Sequence, residues 1–142
     1  MRPLTYVVPK CLLPVGGKPL LERTIKYLGG YGIDEFVLCV AYLKKQVKDT
    51  FGDGSPLGVK IEYAESETPL GTAGQLKTAS DFVKETFLAM NGDIITTLNV
   101  EKLLSTHRAK GGIATIALKE FGVKIPYGHV IVDNEGRVSE FR

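Results

Sequence analysis

The chain's 142 residues suit one compact domain, large enough to bury an apolar core without disulfides or a structural metal. Hydrophobic residues make up 44% and charged residues 24%, ordinary for a globular protein, and a net charge of +2 with acids and bases interspersed offers no basic stripe to track a nucleic acid. No apolar run approaches the roughly 20 residues of a membrane span, and Met1-Arg2-Pro3 does not begin a signal peptide, so the expectation is a cytoplasmic protein with a small ligand, bound to neither nucleic acid nor membrane.

The chain opens on a proline-punctuated segment: Arg2-Pro3-Leu4-Thr5, Pro9-Lys10, Leu12-Leu13-Pro14-Val15 and Lys18-Pro19-Leu20-Leu21. Residues before prolines avoid the helical region, so the segment reads as an extended loop carrying cations past a cleft, with no helix before Pro19. Leu21, Ile25 and Leu28 then recur at helical spacing, and Gly29-Gly30 supplies a stop. The unbroken apolar run Phe36 to Ala41 suits a strand buried on both faces, as in parallel sheets. Leu43, Val47 and Phe51 mark a short helix ended by Gly52-Asp53-Gly54-Ser55, and the alternation of Val59, Ile61 and Tyr63 with polar residues marks a second strand.

A third helix is expected over Thr72, Leu76, Ala79 and Val83, entered through Gly71-Thr72-Ala73-Gly74. Thr86 to Met90 forms a third apolar run closed by Asn91-Gly92-Asp93. Val100, Leu103, Leu104 and His107 predict a fourth helix stopped at Gly111-Gly112, followed by a strand from Ile113 to Leu118. Gly128–Val132 and Arg137–Phe141, joined by Asp133-Asn134-Glu135-Gly136, read as a hairpin. Alternation of this kind predicts an α/β domain whose ligands bind at the carboxyl ends of largely parallel strands. Cys11 and Cys39 have no metal-ligand spacing, and His107 and His129 lack partners nearby in sequence.

The opening run R-P-L-T-x-x-x-P-K-x-L-L-P-V-x-x-K-P-L resembles the second half of the signature of the sugar-1-phosphate nucleotidyltransferases. In that family the run follows a buried strand and a G-G-x-G-T-R loop, and neither is present here. The resemblance therefore implies that residues 1–142 are a partial nucleotidyltransferase catalytic domain, lacking that loop and a C-terminal part of the sugar site. The implied fold is a Rossmann-like three-layer α/β domain with a mixed, mostly parallel sheet whose first strand is missing from this chain.

Asp93 is the leading candidate for chemistry. A carboxylate just after an apolar strand, with Gly92 before it, suits a magnesium ion on a phosphate, although an aspartate there also caps turns. Met90-Asn91-Gly92-Asp93 resembles the family's metal-binding motif, which implies Asp93 as a Mg²⁺ ligand. Lys10 matches the family's phosphate-contacting lysine, with Arg2 also in reach of the phosphates, whereas Lys18 is expected near the helix start. A fixed cation there offsets charge on departing pyrophosphate.

Glycine opening a helix lets a ligand approach free backbone N–H groups. Pro69-Leu70-Gly71-Thr72-Ala73-Gly74 resembles the family's L-G-T-A loop, which implies Gly71, with Glu65 and Ser66, as nucleotide contacts. Tyr127-Gly128-His129-Val130 resembles a Y-G-x-V pattern lining the sugar pocket, which implies Tyr127 and Gly128 as sugar contacts.

The implied reaction joins a nucleoside triphosphate and a sugar 1-phosphate, releasing pyrophosphate. The L-G-T-A loop most resembles the mannose-1-phosphate guanylyltransferase branch, while glucose-1-phosphate thymidylyl- and uridylyltransferases share nearly every motif. A non-catalytic regulatory relative that binds nucleotide-sugar is the rival reading, and a homo-oligomer is compatible with either. Without the glycine-rich loop, the 142 residues alone are expected to have little activity.

Overall fold

The computed structural model describes residues 3–123 and 126–141. Residues of the opening segment form two short 3₁₀ turns, Leu4–Tyr6 and Lys10–Leu12, rather than an uninterrupted extended loop. A two-residue antiparallel hairpin follows, β1 (Pro14–Val15) and β2 (Lys18–Pro19). Its turn is made by Gly16 and Gly17, both at positive φ (57° and 77°), the geometry that matches the twist of a tight hairpin. Arg23 donates from Nε to the Val15 carbonyl and from Nη2 to the Gly16 carbonyl, fastening the hairpin to the helix that comes next.

That helix, α1 (Leu20–Gly29), begins directly after Pro19 and buries Leu20, Leu21, Thr24, Ile25 and Leu28 along one stripe. Its outer face carries Glu22, which pairs with Lys18 at 3.3 Å and Lys26 at 2.8 Å, one turn to either side. Strand β3 (Glu35–Val40), helix α2 (Lys44–Phe51) and strand β4 (Lys60–Glu65) form a βαβ unit. The two strands are parallel and in register from Glu35 opposite Lys60 to Val40 opposite Glu65, so both carboxyl ends lie at one edge.

The core forms where α1 and α2 meet this pair: Leu21, Ile25, Val40, Val47, Phe51 and Ile61 are buried together. Cys11 and Leu12 of the opening segment pack against it. The alternation expected of β4 is present, with Ile61 buried in the core and Tyr63 packed beside it, while Ala64 is buried on the opposite face.

Helix α3 (Gly71–Thr78) lies beside β3 and β4 and is shorter than its apolar pattern predicts, giving way to turns around buried Ala79. Helix α4 (Val100–Lys110) starts at Asn99, whose side chain accepts from the Lys102 amide at 2.8 Å, and stops at Gly111 in the left-handed region (φ 61°). Strands β5 (Val130–Val132) and β6 (Val138–Phe141) form the expected antiparallel hairpin. Asp133 closes its turn, accepting from the Glu135 and Arg137 amides at 2.9 Å.

Two expected strands differ. Residues 86–90 and 113–118 pair with no strand among the described residues. A β-rich run becomes a strand only when a neighbour completes its ladder. Without one, Ile113, Ile116 and Leu118 stand open to solvent. The sheet is accordingly one parallel pair with separate antiparallel hairpins, within an α/β fold.

Candidate active site

The opening segment, the start of α2 and the loop leaving β4 meet at the carboxyl edge of β3 and β4. The opening segment is tied there by side chains from the start of α2: Tyr42 donates to the Tyr6 carbonyl at 2.8 Å, and Gln46 Nε2 to the Val7 carbonyl at 2.9 Å. Leu43 between them adopts a left-handed backbone (φ 56°), which costs a non-glycine residue roughly 1–2 kcal/mol. Strain of this kind at a strand's carboxyl end is common where a fold positions a ligand site.

Lys10 lies in the second 3₁₀ turn, exposed, while its neighbours Cys11 and Leu12 are held by the core. The backbone is thus anchored and the ammonium left toward solvent. Lys10 makes no ion pair among the described residues, whereas Lys18 is paired with Glu22. The difference separates the two lysines physically: Lys18 is tied to the first turn of α1 and Lys10 is not. Arg2 lies outside the described residues.

Asn91-Gly92-Asp93 reaches this same opening segment. A Cβ placed on Gly92 would sit 3.8 Å from Cys11 Cβ and 3.6 Å from Leu21 Cδ1, so the backbone before Asp93 lies against the residue after Lys10. These are ordinary contact distances. Gly92 is therefore not demanded by crowding within the described residues. Burial pushes the Cys11 thiol upward, and the negative charge of Asp93 adds to the shift, which argues against a reactive thiolate. Asp93 itself is exposed.

Thr24 and Tyr27 on α1 hold the chain beyond Asp93: their hydroxyls donate to the carbonyls of Ile94 at 3.3 Å and Leu98 at 2.5 Å. Neither was legible as a site-supporting residue, because a threonine and a tyrosine on an amphipathic helix give no sign of which distant carbonyl they meet.

The loop leaving β4 is fixed by ion pairs and hydrogen bonds. Glu65 pairs with Lys48 at 2.7 Å and Lys44 at 3.3 Å, and Lys44 also reaches Glu67 at 2.8 Å. Lys48 first, then Lys44, holds the Glu65 carboxyl below its ordinary range. Ser66 donates its hydroxyl to the Thr68 carbonyl and accepts from Gln75, each at 2.9 Å. Gly71, opening α3, has a φ of 70° with nothing within 4 Å of where a Cβ would stand. It is required by backbone conformation and faces open space. Tyr127 is 80% exposed and Gly128 is exposed beside β5, so packing sets neither against the Lys10–Asp93 neighbourhood.

A family model described as nucleotidyl transferase matches residues 1–142. The chain belongs to the nucleotidyl transferase family. It is 35% identical over 142 residues to a mannose-1-phosphate guanylyltransferase of Mycobacterium tuberculosis, covering 99% of this chain and 40% of that protein. It is 31% identical over 156 residues to a UTP–glucose-1-phosphate uridylyltransferase of Synechocystis, covering 100% of this chain and 40% of the relative. The chain therefore spans about 40% of the length of these curated relatives. The crystal structure of HddC from Yersinia pseudotuberculosis complexed with GMP-PN has the same fold, with a TM-score of 0.66 at 22% identity, over 94% of this chain and 59% of that one. Among the described residues no helix is long and apolar enough to cross a membrane.

Proposed function

We propose that this protein transfers a nucleotidyl group from a nucleoside triphosphate to a sugar 1-phosphate, with GTP and mannose 1-phosphate as the preferred pair. The observation that carries the reading is the approach of Gly92 to the Cys11 side chain, which brings the residue before Asp93 against the residue after Lys10; Asp93 is exposed, and Lys10 makes no ion pair among the described residues. The greater identity to the guanylyltransferase than to the uridylyltransferase, 35% against 31%, supports the choice of base.

A phosphate oxygen of the sugar 1-phosphate attacks the α-phosphorus in line. The α–β bridging bond breaks and pyrophosphate departs with its electrons. Lys10 stabilises the charge that gathers on the leaving group, an electrostatic role that needs a fixed cation and no proton transfer. The donor set fits magnesium: Asp93 offers one exposed carboxylate, and no group of three His, Cys, Asp or Glu side chains among the described residues could form a protein cage. Magnesium is commonly held by one or two carboxylates, with phosphates and water completing its shell. Asp93 would hold the ion, with Arg2 a further contact to the phosphates. When bound, magnesium would offset the negative charge of the phosphates. Gly71, Glu65 and Ser66 are assigned to the nucleotide, and Tyr127 and Gly128 to the sugar.

The test uses the protein as its gene encodes it, measuring pyrophosphate release across GTP, dTTP, UTP, CTP and ATP with mannose and glucose 1-phosphates. Magnesium-dependent release that favours GTP with mannose 1-phosphate, and disappears in Asp93→Asn, is expected. A preference for UTP with glucose 1-phosphate would replace the substrates, and no release from a folded protein would favour a regulatory relative.

A further inference from the structure

Gln75 occupies the second turn of α3, one turn beyond Gly71, and has itself no assigned chemical role. Its Nε2 donates to Ser66 Oγ at 2.9 Å, and Ser66 Oγ passes the chain on to the Thr68 carbonyl at 2.9 Å. The Ser66 amide is bonded to the Val40 carbonyl at 3.0 Å, and Glu65 and Glu67 are held by Lys44 and Lys48 from the α2 side. Of these holds on the loop, Gln75 is the one contributed by α3, whose opening residue is Gly71.

The other end of the same amide is anomalous. Gln75 Oε1 is buried and accepts no hydrogen bond, alone among the buried side-chain polar atoms of the described residues. A buried acceptor without a donor weakens a fold, and a methionine of similar volume would remove that cost. A side chain that carries this cost, and whose side-chain partner among the described residues is Ser66, is explained by a task in the Ser66 loop.

We infer that Gln75 is a positioning residue for the nucleotide base: it fixes the Ser66 hydroxyl and, through it, the path of residues 66–68, so that the loop meets the base in one shape. This inference rests on the nucleotidyl-transfer reading above. Gln75 touches no substrate, and its effect passes through Ser66.

The experiment compares Gln75→Met, Ser66→Ala and their combination with the unaltered protein, as encoded by its gene, by pyrophosphate release at varied GTP and varied mannose 1-phosphate, alongside thermal unfolding. Gln75→Met is expected to raise the KM for GTP about tenfold, the scale of one net hydrogen bond. The kcat and the KM for mannose 1-phosphate stay within about twofold of the original, since neither the phosphates nor the sugar site depends on the loop. The Tm is unchanged or higher, because the orphan acceptor is gone. Ser66→Ala gives a similar GTP effect, and the double variant adds little, as expected when two residues act in series.

Gln75→Glu gives a second readout should Gln75→Met not fold. It keeps the volume but puts an acceptor where Nε2 donated, turning the Ser66 hydroxyl away from Thr68, and the same rise in GTP KM is expected. An unchanged GTP KM in folded, active variants overturns the assignment, as does a lowered Tm with effects that multiply in the double variant. If the unaltered protein releases no pyrophosphate with any triphosphate, the reading of the whole site fails and takes Gln75 with it. Activity in the unaltered protein with indifferent variants removes Gln75 alone.

Discussion

The Thr24 hydroxyl lies 3.3 Å from both the Leu20 carbonyl one turn back in α1 and the Ile94 carbonyl, seventy residues further along the chain. A buried side chain thus joins the first helix to the residue that follows Asp93. Thr24→Val keeps the volume and removes the donor, leaving the Ile94 carbonyl without this partner. We expect a loss of about 1 kcal/mol in denaturant unfolding, with nucleotidyl transfer impaired further than stability because the tie to the residue after Asp93 is lost. Activity unchanged in a folded Thr24→Val protein would show that the tie does not position Asp93.

Lys10 and Lys18 separate cleanly by mutation. Lys10→Ala is expected to lower kcat on the order of 10²-fold, the usual consequence of removing one charge-stabilising contact. Lys18→Ala removes an exposed ion pair to Glu22 and is expected to change kcat little, since such pairs are worth at most about 1 kcal/mol. Steady-state kinetics of the two variants side by side decides it, and equal losses would contradict the assignment.

Gly71 and Gly92 make opposite predictions. Gly71→Ala forces a side chain onto a φ of 70°, at a cost of roughly 1–2 kcal/mol. Gly92→Ala meets its neighbours at 3.6 and 3.8 Å, so it should fold with a Tm close to the original. Thermal unfolding of both variants measures the contrast.

Glu65 provides a pH prediction. Its folded-state pKa is depressed, principally by Lys48, so its stabilising contribution is fully present above the unfolded-state value and is lost as pH falls through the folded one. The loop at Glu65–Thr68 should therefore loosen in that acid window. High salt should narrow the window, because the pairs are partly exposed and screened. An NMR titration of Glu65 reports it directly, and a midpoint at or above the ordinary glutamate value would contradict the ion-pair account.

Replacing Ile25, 1% exposed at the centre of the core, tests the packing beneath the site. Ile25→Ala should cost about 2–5 kcal/mol in denaturant unfolding.

What the sequence determined by itself was local. The three- and four-residue spacing of Leu21, Ile25 and Leu28 specifies α1, the apolar run Phe36 to Ala41 specifies β3, and Asp133 to Gly136 specifies a turn between two short strands. The ordered motifs around Lys10, Gly71 and Asp93 also indicate the family. Tertiary structure decided the rest. Only the fold sets the Lys10 segment against Gly92, pairs Glu65 with lysines seventeen and twenty-one positions earlier, and leaves one end of Gln75 buried without a donor. It also left residues 86–90 and 113–118 unladdered, although their composition suits strands. The physical reason is common to all of these: periodicity records which face of an element is apolar, whereas a hydrogen bond, an ion pair or a sheet ladder exists only when a partner distant in sequence arrives within about 3 Å.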